Sequence, residues 1–226
     1  MEPQTKITLK IYKPLLKAFD LKVQRLCLKR DAFLNRLLSV ETPRLKEDLN
    51  GLRQSTRAHR YSSGELKRLA PWPINVVVDQ ATADALNEVV TQANVSRDAF
   101  ANCLIWFLVA TDEWLELLDL PSYVTSSDFE DWVEPLATTP LRAFENFLDD
   151  PLRYLQQASN ERHGVGLYRL NFWKNLHGFN IFMNDEDIPG TPEYEAAQMR
   201  SMRELDALLS SVLADGQGVL NTEARS

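Results

Sequence analysis

The chain has 226 residues, of which 44% are apolar and 25% charged, with a formal net charge of −7. That balance excludes wholesale disorder, and no apolar run approaches the ~18 residues a bilayer helix needs, so no membrane is expected. Residues 1–70 carry +9 and residues 71–226 carry −16, a split that points to a nucleic-acid or protein partner despite the acidic total. The two cysteines, Cys27 and Cys103, supply neither a disulfide framework nor metal-ligand spacing. Nothing behind Met1 reads as a secretory segment, and a cytoplasmic protein is expected.

In chain order, Ile7, Leu9 and Ile11 alternate with Lys6, Thr8, Lys10 and Tyr12. Period-two alternation of this kind predicts a half-buried strand. The period then becomes helical: Leu16, Phe19, Val23 and Leu26 define an amphipathic helix, with Pro14 in its first turn. A second helix follows with Ala32, Phe33, Leu37 and Leu38. Cys27 is expected on an apolar helix face as a small core residue, as is Cys103. Thr42-Pro43 predicts the start of a short helix to about Leu52. The segment from Arg53 to Gly64, with Arg57, His59 and Arg60, reads as a flexible basic loop.

From residue 72 the pattern starts again. Ile74, Val76 and Val78 alternate with Asn75, Val77 and Asp79, and Ala83, Leu86, Val90 and Ala93 keep the helical register of the first copy. Asn94 is placed to end that helix in the left-handed region and Ser96 to cap the next. The third element, with Ala99, Phe100, Leu104, Ile105 and Leu108, is apolar enough to lie at the centre of a core and is expected to run on through Trp114, Leu117 and Leu118. At an offset of 67 residues, Arg30-Asp31-Ala32-Phe33-Leu34-Asn35-Arg36-Leu37 lies over Arg97-Asp98-Ala99-Phe100-Ala101-Asn102-Cys103-Leu104 with six of eight positions identical. Self-similarity at a fixed offset marks a duplicated structural unit.

Strand, helix, turn and helix in about 35 residues resembles the ribbon-helix-helix (MetJ/Arc/CopG-like) family of DNA-binding proteins, whose strands pair into a two-stranded ribbon. The turn Val95-Ser96-Arg97-Asp98-Ala99-Phe100 carries the best match. The first copy has Lys29 in place of the serine cap. Two copies in one chain are similar to the TraY-type arrangement, which implies that the repeats can form the ribbon within one chain. The expected fold is mostly α (α+β): a tandem pseudo-dimer with a two-stranded antiparallel ribbon, plus an acidic, mainly helical C-terminal domain. The corresponding domains are 1–40 (repeat one), 41–71 (basic linker), 72–120 (repeat two with an extended second helix) and 121–226 (oligomerisation or partner binding).

The resemblance implies sequence-specific binding of double-stranded DNA, as a transcriptional repressor or autoregulator, with the ribbon in the major groove. Outward residues Lys6, Thr8, Lys10, Asn75 and Val77 would contact bases. Lys29, Arg30, Ser96 and Arg97 at the second-helix N-termini would contact phosphates, as would Arg53, Arg57 and Arg60 along the basic segment. The alternative is a protein-interaction module, an antitoxin or conjugation accessory factor, whose acidic residues 111–226 bind a protein or a second copy of the chain. No nucleophile–base pair, phosphate loop or metal cluster stands in the sequence, and neither an enzyme nor a cofactor or metal is expected.

In the C-terminal region, helices are predicted over 127–134, 140–149 and 151–159, and a strand over Gly164–Phe172. The aromatic segment Tyr168, Phe172, Trp173, Phe179 and Phe182 is expected to serve a core, and Asp185-Glu186-Asp187 to form a turn. Thr191-Pro192 starts a helix to about Ala214, with Met199, Met202, Leu205, Leu208, Leu209 and Val212 along one side.

Overall fold

A computed structural model describes residues 3–120, 148–172, 174–200 and 203. The chain divides after Met183 into two compact units. In the first, strand β1 (Gln4–Ile11) leads through Tyr12 into helix α1 (Lys13–Arg25), followed by α2 (Arg30–Asp48) and α3 (Thr56–Arg68). Strand β2 (Trp72–Asp79) then leads directly into α4 (Gln80–Ala93), α5 (Arg97–Val109) and the short α6 (Asp112–Glu116). Helix α7 (Arg153–His163) and 3₁₀ turns at Leu167–Arg169 and Lys174–Phe179 complete the unit.

β1 and β2 pair antiparallel, from Gln4 opposite Asp79 to Ile11 opposite Trp72. Thr8 faces Asn75, its own counterpart at the 67-residue offset. The pairing is therefore related by a local twofold through that residue pair. The alternation predicted from sequence decides the two faces: Ile7, Leu9, Ile11, Ile74, Val76 and Val78 are buried, while Lys6, Thr8, Lys10 and Asn75 are exposed. Burying each of the aliphatic side chains is worth about 1.5–3 kcal/mol, which fixes the register, since a one-residue slip of either strand would turn its three to water.

The same twofold recurs in the turns. Cys27 (φ 56°) and Asn94 (φ 53°), again 67 residues apart, are both left-handed. In each copy the next N–H closes the helix end onto the same carbonyl: Leu28 to Val23 and Val95 to Val90, both at 3.0 Å. Ser96 caps α5 as expected, accepting from the Ala99 N–H, whereas Lys29 gives α2 no side-chain cap. α5 is buried on nearly every side from Ala99 to Phe107, as its uniform apolarity predicts. α2 buries only Leu34, Leu37 and Leu38 in its first half.

Several local expectations are corrected. α2 does not stop before Thr42: it runs through Pro43 to Asp48. A buried cluster anchors that second half. Glu41, fully buried, accepts from Tyr168 Oη at 2.6 Å, Gln156 Nε2 at 2.9 Å and Arg44 at 2.8 Å, and Arg44 also forms a two-pronged pair with Asp150. Burial pushes the Glu41 carboxyl above its ordinary value, while Tyr168, Arg44 and Gln156 hold it down. The segment expected as a flexible loop is mostly α3, capped by Ser55 and packed through Ala58, Ser62 and Leu66. Residues 41–71 are thus structured rather than a free linker.

α5 does not extend to Leu118. Ala110 (ψ 143°) breaks it and α6 begins afresh after Thr111. The strand expected over Gly164–Phe172 is absent, and Leu167–Arg169 form a 3₁₀ turn instead. Cys27 is exposed in the left-handed turn rather than packed on a helix face, while Cys103 is buried. Leu26, the last residue of the expected apolar stripe, is also exposed. The expected division at residue 120 is not a packing boundary: Leu155, Leu167, Tyr168, Phe172 and Phe179 belong to the same apolar core as the strands and α5. Phe172 meets Trp106 edge-on at 4.9 Å, and Tyr168 meets Phe100 at 5.1 Å, so these aromatics serve the core as predicted.

In the second unit, Asp185–Asp187 form a 3₁₀ turn held by a capping box with Asn184. Thr191 caps a helix over 192–200, accepting from the Tyr194 N–H at 3.1 Å. The helices expected over 127–134 and most of 140–149 lie outside the described residues, as do Trp173 and Met202, Leu205, Leu208, Leu209 and Val212. Among the described residues no helix is long and apolar enough to cross a membrane.

Candidate nucleic-acid interface

The outer face of the ribbon is an open strip of cross-strand pairs: Gln4 with Asp79, Lys6 with Val77, Thr8 with Asn75 and Lys10 with Pro73. At its centre Thr8 Oγ1 donates to Asn75 Oδ1 at 2.9 Å, which engages the amide oxygen of this exposed residue and leaves its nitrogen as the donor. Lys6 and Lys10 flank that centre on the same strand, exposed and in no ion pair among the described residues. Val77 is half-buried. All five base-contact residues expected from the sequence therefore share one surface.

A clasp that the sequence reading did not assign holds this surface. Asn102 Oδ1 accepts from the Tyr12 N–H at 2.8 Å, and its Nδ2 donates to Lys10 O at 2.8 Å and Asp98 O at 2.7 Å. Its counterpart Asn35 repeats the first of these bonds across the twofold, accepting from the Asp79 N–H at 2.9 Å, but donates to the Asp79 carboxylate Oδ2 at 2.7 Å. Each repeat thus secures the residue that turns the other repeat's strand into its helix. Asp98 adds a bond from the Lys10 N–H at 3.0 Å. The available signal was the identity of Asn35 and Asn102 within the repeated octamer, which side-chain amides bonded to the backbone at equivalent positions explain.

The phosphate candidates separate into two groups. Arg97 is turned inward, donating to Thr8 O at 3.0 Å and Asn87 Oδ1 at 3.3 Å. Its counterpart Arg30 is held by Asp31 at 3.0 Å and Asp20 at 3.9 Å. Arg53 closes the end of α4 by donating to Gln92 O and Thr91 O. Ser96 Oγ is spent on capping. These four buttress the ribbon and its turns. Lys29, at the start of α2, and Arg57 and Arg60 on α3 are exposed. The N-terminal end of α3 is tied to the α4–α5 turn: Gln54 N–H donates to Ala93 O, Asn94 Nδ2 donates to Gln54 O, and His59 Nδ1 meets Asn94 O at 3.0 Å. The basic segment is therefore fixed beside repeat two rather than free to sweep.

The other histidines are likewise structural, with His177 Nδ1 on Tyr61 Oη and His163 Nε2 on Leu118 O. A polar cavity of about 290 Å³ lies between α2 and the α7 end, lined by Arg44, Asp48, Gln156, Asn160 and Arg169. Burial there raises the Asp48 carboxyl to about 6, opposed by the Tyr168 N–H. Comparison with known proteins returned no matching family, no matching curated protein and no matching solved structure.

Proposed function

We propose that the chain is a tandem ribbon-helix-helix protein that binds double-stranded DNA sequence-specifically and acts as a transcriptional repressor or autoregulator. One observation carries the reading: two helix-backed strands from duplicated units pair within one chain and leave Lys6, Thr8, Lys10 and Asn75 on a single open face. A two-stranded ribbon fits the major groove, where lysine donates to guanine O6 and N7 and an asparagine amide donates to adenine N7. Lys29, at the uncapped start of α2, and Arg57 and Arg60 supply charge for the flanking phosphates.

The test is a mobility-shift titration of the full chain on duplexes at several salt concentrations. Affinity falls steeply as salt rises, and Lys6→Ala with Lys10→Ala removes sequence preference while circular dichroism and the melting temperature stay unchanged, because both side chains are exposed. Lys29→Ala weakens binding to all sequences alike and lowers the salt slope by about 1. Salt-independent binding, or undiminished preference in the double variant, refutes the proposal.

A further inference from the structure

We infer, resting on the DNA reading above, that one chain reads a non-palindromic site, with the guanine contacts made from β1 alone and, apart from Asn75 at the centre, apolar contacts made from β2. The backbone of the ribbon is twofold symmetric about Thr8 and Asn75, but its outward side chains are not. The counterpart of Lys6 is Pro73, and the counterpart of Lys10 is Val77. Both cations therefore stand on one strand, and each faces an apolar residue across the ribbon.

A duplex palindrome presents the same donors and acceptors to both strands of a symmetric reader. This reader has nothing to present twice. Lys6 and Lys10 are four residues apart, about 13 Å along a strand, which spans about four base steps at ~3.4 Å each. They fit two guanines on one DNA strand, on either side of the site centre. Val77 and Pro73 fit thymine methyls reached from the opposite edge. The phosphate charge is lopsided in the same sense: residues 1–38 carry +6 and residues 72–110 carry −3. Repeat one is thus the anchored half of the complex and repeat two its scaffold.

The experiment is selection of bound duplexes from a random pool with the full chain. Mobility shifts then follow on the selected site and on two palindromes made by inverting each half onto itself. The inference expects a consensus without dyad symmetry, one chain per duplex by native mass spectrometry, and a loss of about tenfold or more on each palindrome, as one mismatched base contact costs. In Pro73→Lys with Val77→Lys, which restores the symmetry of charge across the twofold, the gap between the selected site and both palindromes closes. A palindromic consensus, equal binding of wild type to either palindrome, or two chains per duplex overturns the inference and leaves the DNA reading standing. Absence of salt-dependent binding to any duplex overturns both. Should the lysine variant fold poorly by circular dichroism, the wild-type palindrome comparison still decides.

Discussion

Removal of the Asn102 side chain tests whether the cross-repeat clasp holds the ribbon. Asn102 is fully buried and satisfies the Tyr12 N–H and the Lys10 carbonyl at 2.8 Å each. In Asn102→Ala both lose their partner, at about 1–3 kcal/mol apiece, for a total of roughly 2–6 kcal/mol. Asn35 makes the equivalent bond to the Asp79 N–H, but it is half-buried and its second partner is a carboxylate that water can reach. Asn35→Ala is therefore expected to cost only about 1–2 kcal/mol. Urea denaturation of both variants, followed by circular dichroism, gives the comparison, and at this chain length each kcal/mol lowers the melting temperature by roughly 2–4 °C. The reasoning fails if Asn102→Ala lies within about 0.5 kcal/mol of wild type, the range of an ordinary surface substitution. It also fails if Asn35→Ala is the costlier change.

Four further outcomes follow from the geometry. Cys27→Asn places at φ 56° the residue type that its counterpart Asn94 already uses, and is expected to stabilise by a few tenths to about 1 kcal/mol in the same assay. In the native wild type, a thiol reagent should titrate exposed Cys27 at once and buried Cys103 only on unfolding. Gly178→Ala would set a Cβ 2.6 Å from the Leu66 backbone nitrogen and 2.7 Å from its Cα, so α3 must move, at about 1–3 kcal/mol by calorimetry; an unchanged melting temperature would count against that close approach. Asp48, raised to about 6 by burial, holds a proton in the folded chain that the unfolded chain has already released. Stability therefore falls as pH rises between about 4 and 6. Asp48→Asn, which keeps an acceptor for the Tyr168 N–H, should flatten that slope in melting curves across pH. Part of the slope remains because buried Glu41 is shifted in the same direction.

The sequence by itself determined what depends on neighbours within a few residues and on the duplication. Alternation at 6–12 and 74–79 placed both strands and their two faces, because side chains in a strand point to opposite sides. Asn94 and Ser96 marked a helix end and a helix start through their own backbone chemistry. The 67-residue repeat set which residues are equivalent. Only the tertiary structure decided the rest. Thr42-Pro43 has the local signature of a helix start, yet α2 passes through it because Glu41 and Arg44 are fixed by Tyr168, Gln156 and Asp150, all more than 100 residues away. The polar segment from Arg53 to Gly64 carries only a narrow stripe of small residues, too weak to announce a helix until the Lys174–Phe179 turn and the α4–α5 turn pack against it. The charged residues divided in the same way. Sequence placed Arg30, Arg53 and Arg97 at the expected contact points. Carbonyls supplied by the fold turned Arg53 and Arg97 into buttresses, while Arg30 is held chiefly by its neighbour Asp31, because a guanidinium beside an orphan carbonyl or a carboxylate is satisfied there before any partner arrives.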